Sequence, residues 1–504
     1  MESNNFVNYY KNLKVAVFKI PEKDEIEYPK IAPYHPSISY PEYQFSSQFI
    51  SKEKNYVYDG VRKTLKLLGL DQENFGKDSW NPLSKIIQPG DRVLIKPNFV
   101  LSSHEKNGNL YSIITHPAVV RAIVDYCFLA LGGKGEIIIA DSPQMDCNFK
   151  ELLDKTKLEE IKSFYHKEKN FPIKIYDLRN FWAKKEKSGP IYSSQRKQLP
   201  GDPEGNVIVN VDEKSEFYGM ENFEKFYGAD YNREETIKHH RGDIQEYCIS
   251  KTVLSADVII SVPKLKVHKK TGVTLNVKGF VGTATDKNFL VHYILGTPSE
   301  GGDQFPEILE NKEKFLIKIQ RLAFDKFLSR KSKIGDFGYS FLNKIYKVFL
   351  KPLGIKVDSD KLILDGGNWY GNDTTWRMAV DLAKIIYFSD KEGKIKKTPQ
   401  RKIFSVIDGI IGGEGEGPLI PTEKKSGVII AGFNPVAVDL AAISLMGFDW
   451  NKIKIYPGIL KNQYFDFFIN NPEEIKSISN FEINNYNLNF IPPLGWKRHI
   501  EIKS

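Results

Sequence analysis

VLIKPNFVLSSHEKNGNLYSIITHPAVVRAIVDYCFLALGGKGEIIIADS, Val93 to Ser142, is the stretch that decides the fold. VLIKPN is a short apolar run ending in polar residues, the pattern of a buried strand. Thr115-His116-Pro117 then opens a helical run through AVVRAIVDYCFLAL, with Thr115 placed to cap it. Gly132 and Gly133 stop that helix, and EIIIADS resumes as a second strand. Strand, helix and strand in this order form a βαβ unit, which requires a parallel sheet covered by helices.

Working outward, the strand pattern returns at ADVIISVPKLKVH, Ala256 to His268. KLILDGG, a helix around TWRMAVDLAKIIYF, KIFSVIDGIIGG, GVIIAG and a helix from Pro435 then make a second α/β block. The 504 residues suit two or three domains. The expectation is therefore α/β: two doubly wound lobes with mainly parallel sheets and a cleft between them. Residues 1–300 form the N-terminal domain, with a polar, turn-rich insertion at about 148–247. Residues 301–358 form a basic helical segment, and 359–504 a C-terminal domain with an irregular tail.

The net charge is +9, and the segment from Asn311 to Lys356, with ten Lys and two Arg against three acids, carries all of it. Phe315, Ile319, Leu322, Phe327, Ile345, Phe349 and Leu350 recur there at roughly helical spacing. The favoured reading is a helical insert whose apolar stripe packs on the core while lysines snorkel outward. The competing one is a pair of amphipathic helices making peripheral contact with an anionic membrane. No recognition motif accompanies the charge, so nucleic acid is not expected. Three cysteines, Cys127, Cys147 and Cys248, fit neither a zinc nor an iron–sulfur spacing. The amino terminus has no apolar h-region, so the expected compartment is the cytoplasm. Gly427 to Phe448 carries only Asp439 as a charge, but Asn434-Pro435 in mid-span marks strand, turn and helix rather than a spanning helix.

The densest chemical signal is PKLKVHKKTGVTLNVKG, Pro263 to Gly279. On an extended strand Lys264, Lys266 and His268 share one face and Leu265 and Val267 the other. Cations gathered on one face repel unless an anion, metal or carboxylate sits among them. Thr271-Gly272 reads as a helix start with Thr274 and Lys278 on one side, a candidate anion site. Asp141, Asp365 and Asp408 each end an apolar run, where parallel sheets place ligand loops. GGEGEGP, Gly412 to Pro418, reads as a flexible loop close to a ligand. No GxGxxG or Walker A pattern is present, so neither a Rossmann dinucleotide nor a P-loop nucleotide is expected. HYILGTPSEGGD offers His292 and Asp303, a candidate metal pair. GNDTTWRM offers Asn372, Asp373 and Arg377, either a salt bridge or an anion clamp.

KPNFV, THPAVVRAIVDY, EIIIADSP, ADVIISVPKLKVHKKTGVTLNVKGFVG, VHYILGTPSEGGD, GNDTTWRMAVDL and DGIIGGEGEGP followed by NPVAVD resemble domain-of-unknown-function family 362, in its long form with the NDTTWRM block. Some of its members carry a ferredoxin-like cluster domain, whose cysteines this chain lacks. A fainter similarity is to lactate-racemase-like proteins that use a nickel-pincer nucleotide. Their spacing of His, Gly at +4 and Lys at +10 is matched by His268, Gly272 and Lys278, with His292 fourteen residues later. That resemblance implies an acid/base role for His268, a tethering Lys278 and a nickel-ligating His292. It departs at Ala140-Asp141-Ser142, where that family has a second catalytic His, and at TLNVK, where it has SGGRK.

These readings converge on an enzyme, isomerase/racemase-like or metal-assisted, acting on a small carboxylate or phosphorylated substrate. His268, Lys278, His292 and Asp141 would do the chemistry. Lys96, Asn98, Lys264, Lys266, Thr271, Thr274, Asn372, Asp373, Arg377 and Asp408 would bind ligand, with a divalent metal held by His292 and Asp303 as a candidate cofactor. The alternative is a non-catalytic protein docking on an anion or membrane surface through 311–356.

Overall fold

The computed structural model describes residues 3–21, 25–185, 191–230, 232–329, 332–350, 359–465, 468–469, 471–484 and 486–502. The principal strands are, in chain order, β1 (Lys14–Lys19), β2 (Arg92–Pro97), β3 (Glu136–Asp141), β4 (Ile173–Asp177), β5 (Val258–Val262), β6 (Lys264–His268), β7 (Lys402–Glu416), β8 (Ile420–Gly432) and β9 (Lys476–Ser479). The helices that matter here are α1 (Pro117–Leu131), α2 (Leu275–Gly279), α3 (Asn311–Ala323), α4 (Lys333–Ile345), α5 (Thr375–Phe388) and α6 (Pro435–Met446).

The unit β2–α1–β3 forms as its sequence predicts, and Gly132 ends α1 in the left-handed conformation at φ 57°. Its cap differs from expectation. His116 takes the cap position, its Nδ1 accepting from Ala118 N at 3.0 Å. Thr115 Oγ1 instead accepts from Asn98 N and donates to Val262 O, tying the start of α1 to β2 and β5.

The coarse fold reading holds: this is a mixed α/β protein with a large, mostly parallel sheet. Two lobes with sheets of their own do not emerge. Strands from both sequence blocks join one ten-stranded sheet in the order β9-β1-β8-β7-β5-β2-β3-β4, with β6 beside β7 and the two residues Gly272–Val273 paired to β6. The join is the parallel pairing of β5 with β7, Val258 opposite Lys402 through Ser261 opposite Ser405. β8 runs antiparallel to both β7 and β1. Alternation along the buried strands feeds two cores: Leu94, Ile138 and Ile259 face the side carrying α5 and α6, while Val93, Ile95, Ile137 and Ile139 face α1.

Four local readings change. KLILDGG is not a strand: Ser359–Leu362 is helical and Asp365 lies in a turn. GGEGEGP is not a free loop, since most of it belongs to β7. Its glycines serve close approach of protein to protein: a Cβ on Gly413 would lie 2.4 Å from Ser112 O, and one on Gly412 2.7 Å from the Phe490 ring. The region 148–247 begins by supplying β4 to the sheet edge, and only after Asp177 does it leave for small separate sheets. The basic segment does form two helices, each running into a π-helical turn, Phe324–Leu328 and Tyr346–Leu350. Of its apolar stripe, Phe315, Ile319 and Leu322 are exposed and Phe327 packs on a small cluster of Phe324, Leu328 and Tyr339, while the side chains of Phe349 and Leu350 lie outside the described residues. Residues 330–331 and 351–358 of that segment lie outside the described residues.

The three cysteines are buried and unpaired. Gly427 to Phe448 is the end of β8, a turn capped by Asn434, and α6. Among the described residues no helix is long and apolar enough to cross a membrane.

Candidate functional site

β6 is the wall on which the site is built. Lys264, Lys266 and His268 alternate with Leu265 and Val267, and all five are buried. The polar face looks onto a cavity of about 390 Å³, whose lining includes Asn98, Asp141, Lys266, His268, Thr274, Lys278, Lys287 and His292. That volume suits a small molecule. Tyr227, Tyr293, Lys270 and Arg321 close another side. The two tyrosine rings stack at 5.0 Å between centroids, and the Arg321 guanidinium lies 5.5 and 5.6 Å from them.

Asp141, at the end of β3, is the carboxylate of this lining. It is already engaged. Lys96 Nζ donates to its Oδ1 at 2.8 Å, Phe99 N donates to Oδ2 at 2.7 Å, and Ser142 N donates to Oδ1 at 3.0 Å. Gly282 makes room for this pair, because a Cβ there would sit 1.9 Å from Asp141 Oδ1 and 2.6 Å from Lys96 Nζ. Lys96 therefore serves Asp141 from behind the cavity.

The lysines Lys266, Lys270, Lys278 and Lys287 are held by neutral groups or by none, while Arg321 pairs with Asp365. Lys266 donates to Ile113 O at 2.6 Å, and Lys287 to Ser142 O and Oγ. Lys270 donates to Gly366 O. The Lys278 amine has no hydrogen-bond partner among the described residues. Burial and mutual repulsion push these amines down: Lys270 and Lys287 to about 7, Lys278 to about 8 with Lys96 contributing, and Lys266 well below its ordinary value. Asn98 Oδ1 and Thr274 Oγ1 are also buried without a partner, an arrangement proteins seldom leave unsatisfied.

The two histidines are held in opposite tautomers by their neighbours. His268 Nδ1 accepts from Lys270 N at 3.1 Å, so the neutral ring carries its proton on Nε2. His292 Nδ1 faces Leu290 O at 3.0 Å and must donate to it, which leaves Nε2 a bare acceptor. Burial, then nearby lysines, hold both rings well below the usual imidazole range. Both rings are neutral at pH 7: one offers a proton and the other accepts one.

Other expected residues lie elsewhere. Lys264 turns to Asp408 at 3.0 Å and to Tyr28 Oη at 2.6 Å, with both ion-pair partners fully buried. Asp408 also accepts from Tyr28 Oη and His116 N, so this is a structural knot between β6, β7 and α1. Thr271 Oγ1 donates to Val273 O within its own turn. The start of α2 is occupied: Asp439 on α6 accepts from Asn276 N, Asn276 Nδ2 and Val277 N. The anion site expected at that helix end is thus filled by the protein's own carboxylate.

The NDTTWRM block braces the histidine strand. Asn372 Nδ2 and Thr375 Oγ1 both donate to His292 O, while Arg377 pairs with Asp373 at 2.7 Å. The salt-bridge alternative is therefore the one formed. Asp303 is engaged within the protein. Its Oδ1 accepts from Ile294 N and its Oδ2 from Asp373 N and Thr374 Oγ1. Among the described residues no three His, Cys, Asp or Glu side chains gather as a metal site.

Lys270, Lys287, Arg321 and the two tyrosines were not anticipated. Lys270 sat inside the quoted lysine run, but its side chain leaves the strand face. Lys287 and Arg321 carry no local pattern that marks them.

No curated protein matches the chain. The lactate-racemase-like resemblance finds no support in these comparisons. The family profile described as a domain of unknown function, DUF362, matches residues 93–188 and 211–444, which include every cavity residue named above. With well over half of its length matched, the chain belongs to the DUF362 family.

Proposed function

We propose that the protein is an enzyme acting on a small anionic substrate, a carboxylate or a phosphorylated molecule, in the cavity beside β6. The observation that carries this reading is the charge of the lining. Lys266, Lys278 and Lys287 face a space whose one lining carboxylate, Asp141, is already paired with Lys96. A bound anion would restore the charged forms of these amines, and Asn98 and Thr274 supply further polar atoms for it.

Proton transfer is the chemistry the histidines support. His268 Nε2–H would deliver a proton and His292 Nε2 would take one, the division of labour expected of an acid/base pair in an isomerisation or racemisation. Lys278 would hold the anion with its ammonium group. Asp141 orients Lys96 and the start of the loop after β3.

The test is solvent-deuterium incorporation into a panel of small carboxylates and phosphorylated molecules, read by mass spectrometry. The reading predicts exchange into at least one compound, lost in His268→Gln with the fold retained. Exchange that persists undiminished per folded molecule in His268→Gln removes His268 from the mechanism.

A further inference from the structure

Helix α3 has two unlike faces. Its inner face carries Ile317 and Arg321, and Arg321 pairs with Asp365 at the cavity wall. Its outer face carries Phe315, Ile319 and Leu322, spaced four and three residues apart; Phe315 is 64% and Leu322 66% exposed. Helix α4 repeats the pattern with Ile334, Phe337 and Phe341, of which Ile334 is 84% and Phe337 73% exposed. Val348, in the π-helical turn that follows, extends the stripe. Large apolar side chains grouped this way on a surface mark a binding face.

The charge beside these stripes selects the occupant. Around α3 several lysines are answered: Lys312 by Glu310, Lys314 by Glu307 and Lys318 by Glu300. On α4 and its π-helical turn, Lys333, Lys344 and Lys347 are exposed, and none has a carboxylate at ion-pair distance among the described residues. At helical periodicity they fall along one flank of the Ile334–Phe337–Phe341 stripe. A stripe of bulky apolar side chains with lysines at its border is the arrangement that lies in a lipid interface, apolar groups inserted and ammonium groups at the phosphates.

We infer that the exposed faces of α3 and of α4 with its π-helical turn, residues 311–323 and 333–348, are a docking surface for an anionic phospholipid bilayer. The inference stands on exposed side chains and charge, independently of what the cavity binds. It also gives α3 a double duty: the helix whose outer face meets lipid supplies Arg321 to the cavity wall, so substrate would enter beside the bilayer.

The test is co-sedimentation of the full chain with phosphatidylcholine vesicles, with and without about one third phosphatidylserine. Binding to the anionic vesicles is expected to fall about tenfold between 0.05 and 0.5 M salt, because surface charges are then screened. Phe337→Ser with Phe341→Ser should lose about tenfold or more, since both side chains are solvent-exposed and their removal leaves the fold alone. Lys333→Glu, Lys344→Glu and Lys347→Glu together should abolish the preference for anionic lipid. Equal binding to both vesicle types, or none at low salt, overturns the inference. So does a concentration-dependent dimer that the double serine variant dissolves in the absence of vesicle binding, which would make the occupant a second copy of the chain.

Discussion

Two groups of lysines carry most of the interest in this molecule, and they obey opposite rules. Those around the cavity are buried and short of carboxylates, so their charge is costly and their affinity for a proton is reduced. Those on α4 are exposed to water, and they act only through a surface that passes close by. The same residue type in the first setting is an argument for a small anion, and in the second for a broad anionic surface.

The largest effect expected within the buried group belongs to a lysine that is paired. Lys264 and Asp408 are both fully buried, so Asp408→Ala strands an ammonium in the core and should cost roughly 3–5 kcal/mol in denaturant unfolding. On the proposed acid role, His268→Gln should lower turnover by about a hundredfold or more with a melting temperature close to the parent's. Lys278→Met reverses the sign of the first prediction. Removing an amine that has no partner should stabilise the ligand-free protein by about 1–3 kcal/mol while weakening anion binding. A destabilised Lys278→Met would mean that its charge is already compensated.

How much of this was legible follows from the reach of each interaction. The β2–α1–β3 unit was readable because its signals are local: apolar runs, a proline at the helix start, two glycines at its end. His268 and Lys266 were readable as neighbours because strand alternation puts them on one face. Lys264 shared that face and yet belongs to another site, since Asp408 on β7 and Tyr28 in the loop after β1 capture its amine from positions far away in sequence. Glycine-rich GGEGEGP failed as a loop because pairing with β8 outweighs backbone freedom. The expectation of two lobes failed on the pairings of β5 and β6 with β7 and of β1 with β8, between residues that sequence patterns treat as separate blocks.

The pH dependence sharpens the contrast further. Lys270, Lys278 and Lys287 have folded values of about 7, 8 and 7 against an ordinary value of 10.5. Between those limits the unfolded chain binds more protons than the folded one, so stability rises with pH. The penalty is complete below about pH 7 and relieved as pH climbs toward 10.5. The melting temperature of the ligand-free protein should therefore increase from pH 7 to 9, and saturating sulfate should flatten that rise. The smallest effect belongs to the exposed group. Lys344→Gln should change stability by no more than about 0.5 kcal/mol, while reducing the free energy of binding to anionic vesicles by about 1 kcal/mol.

The account's central claim is that the cavity's lysines are short of charge until an anion arrives. Isothermal titration of the full chain with sulfate at pH 8, repeated in buffers of different ionisation enthalpy, measures the protons exchanged on binding. Sulfate does not titrate there, so any uptake belongs to the protein. The account predicts net proton uptake that diminishes in Lys278→Met. Binding without proton uptake, or uptake unchanged in that variant, would contradict it.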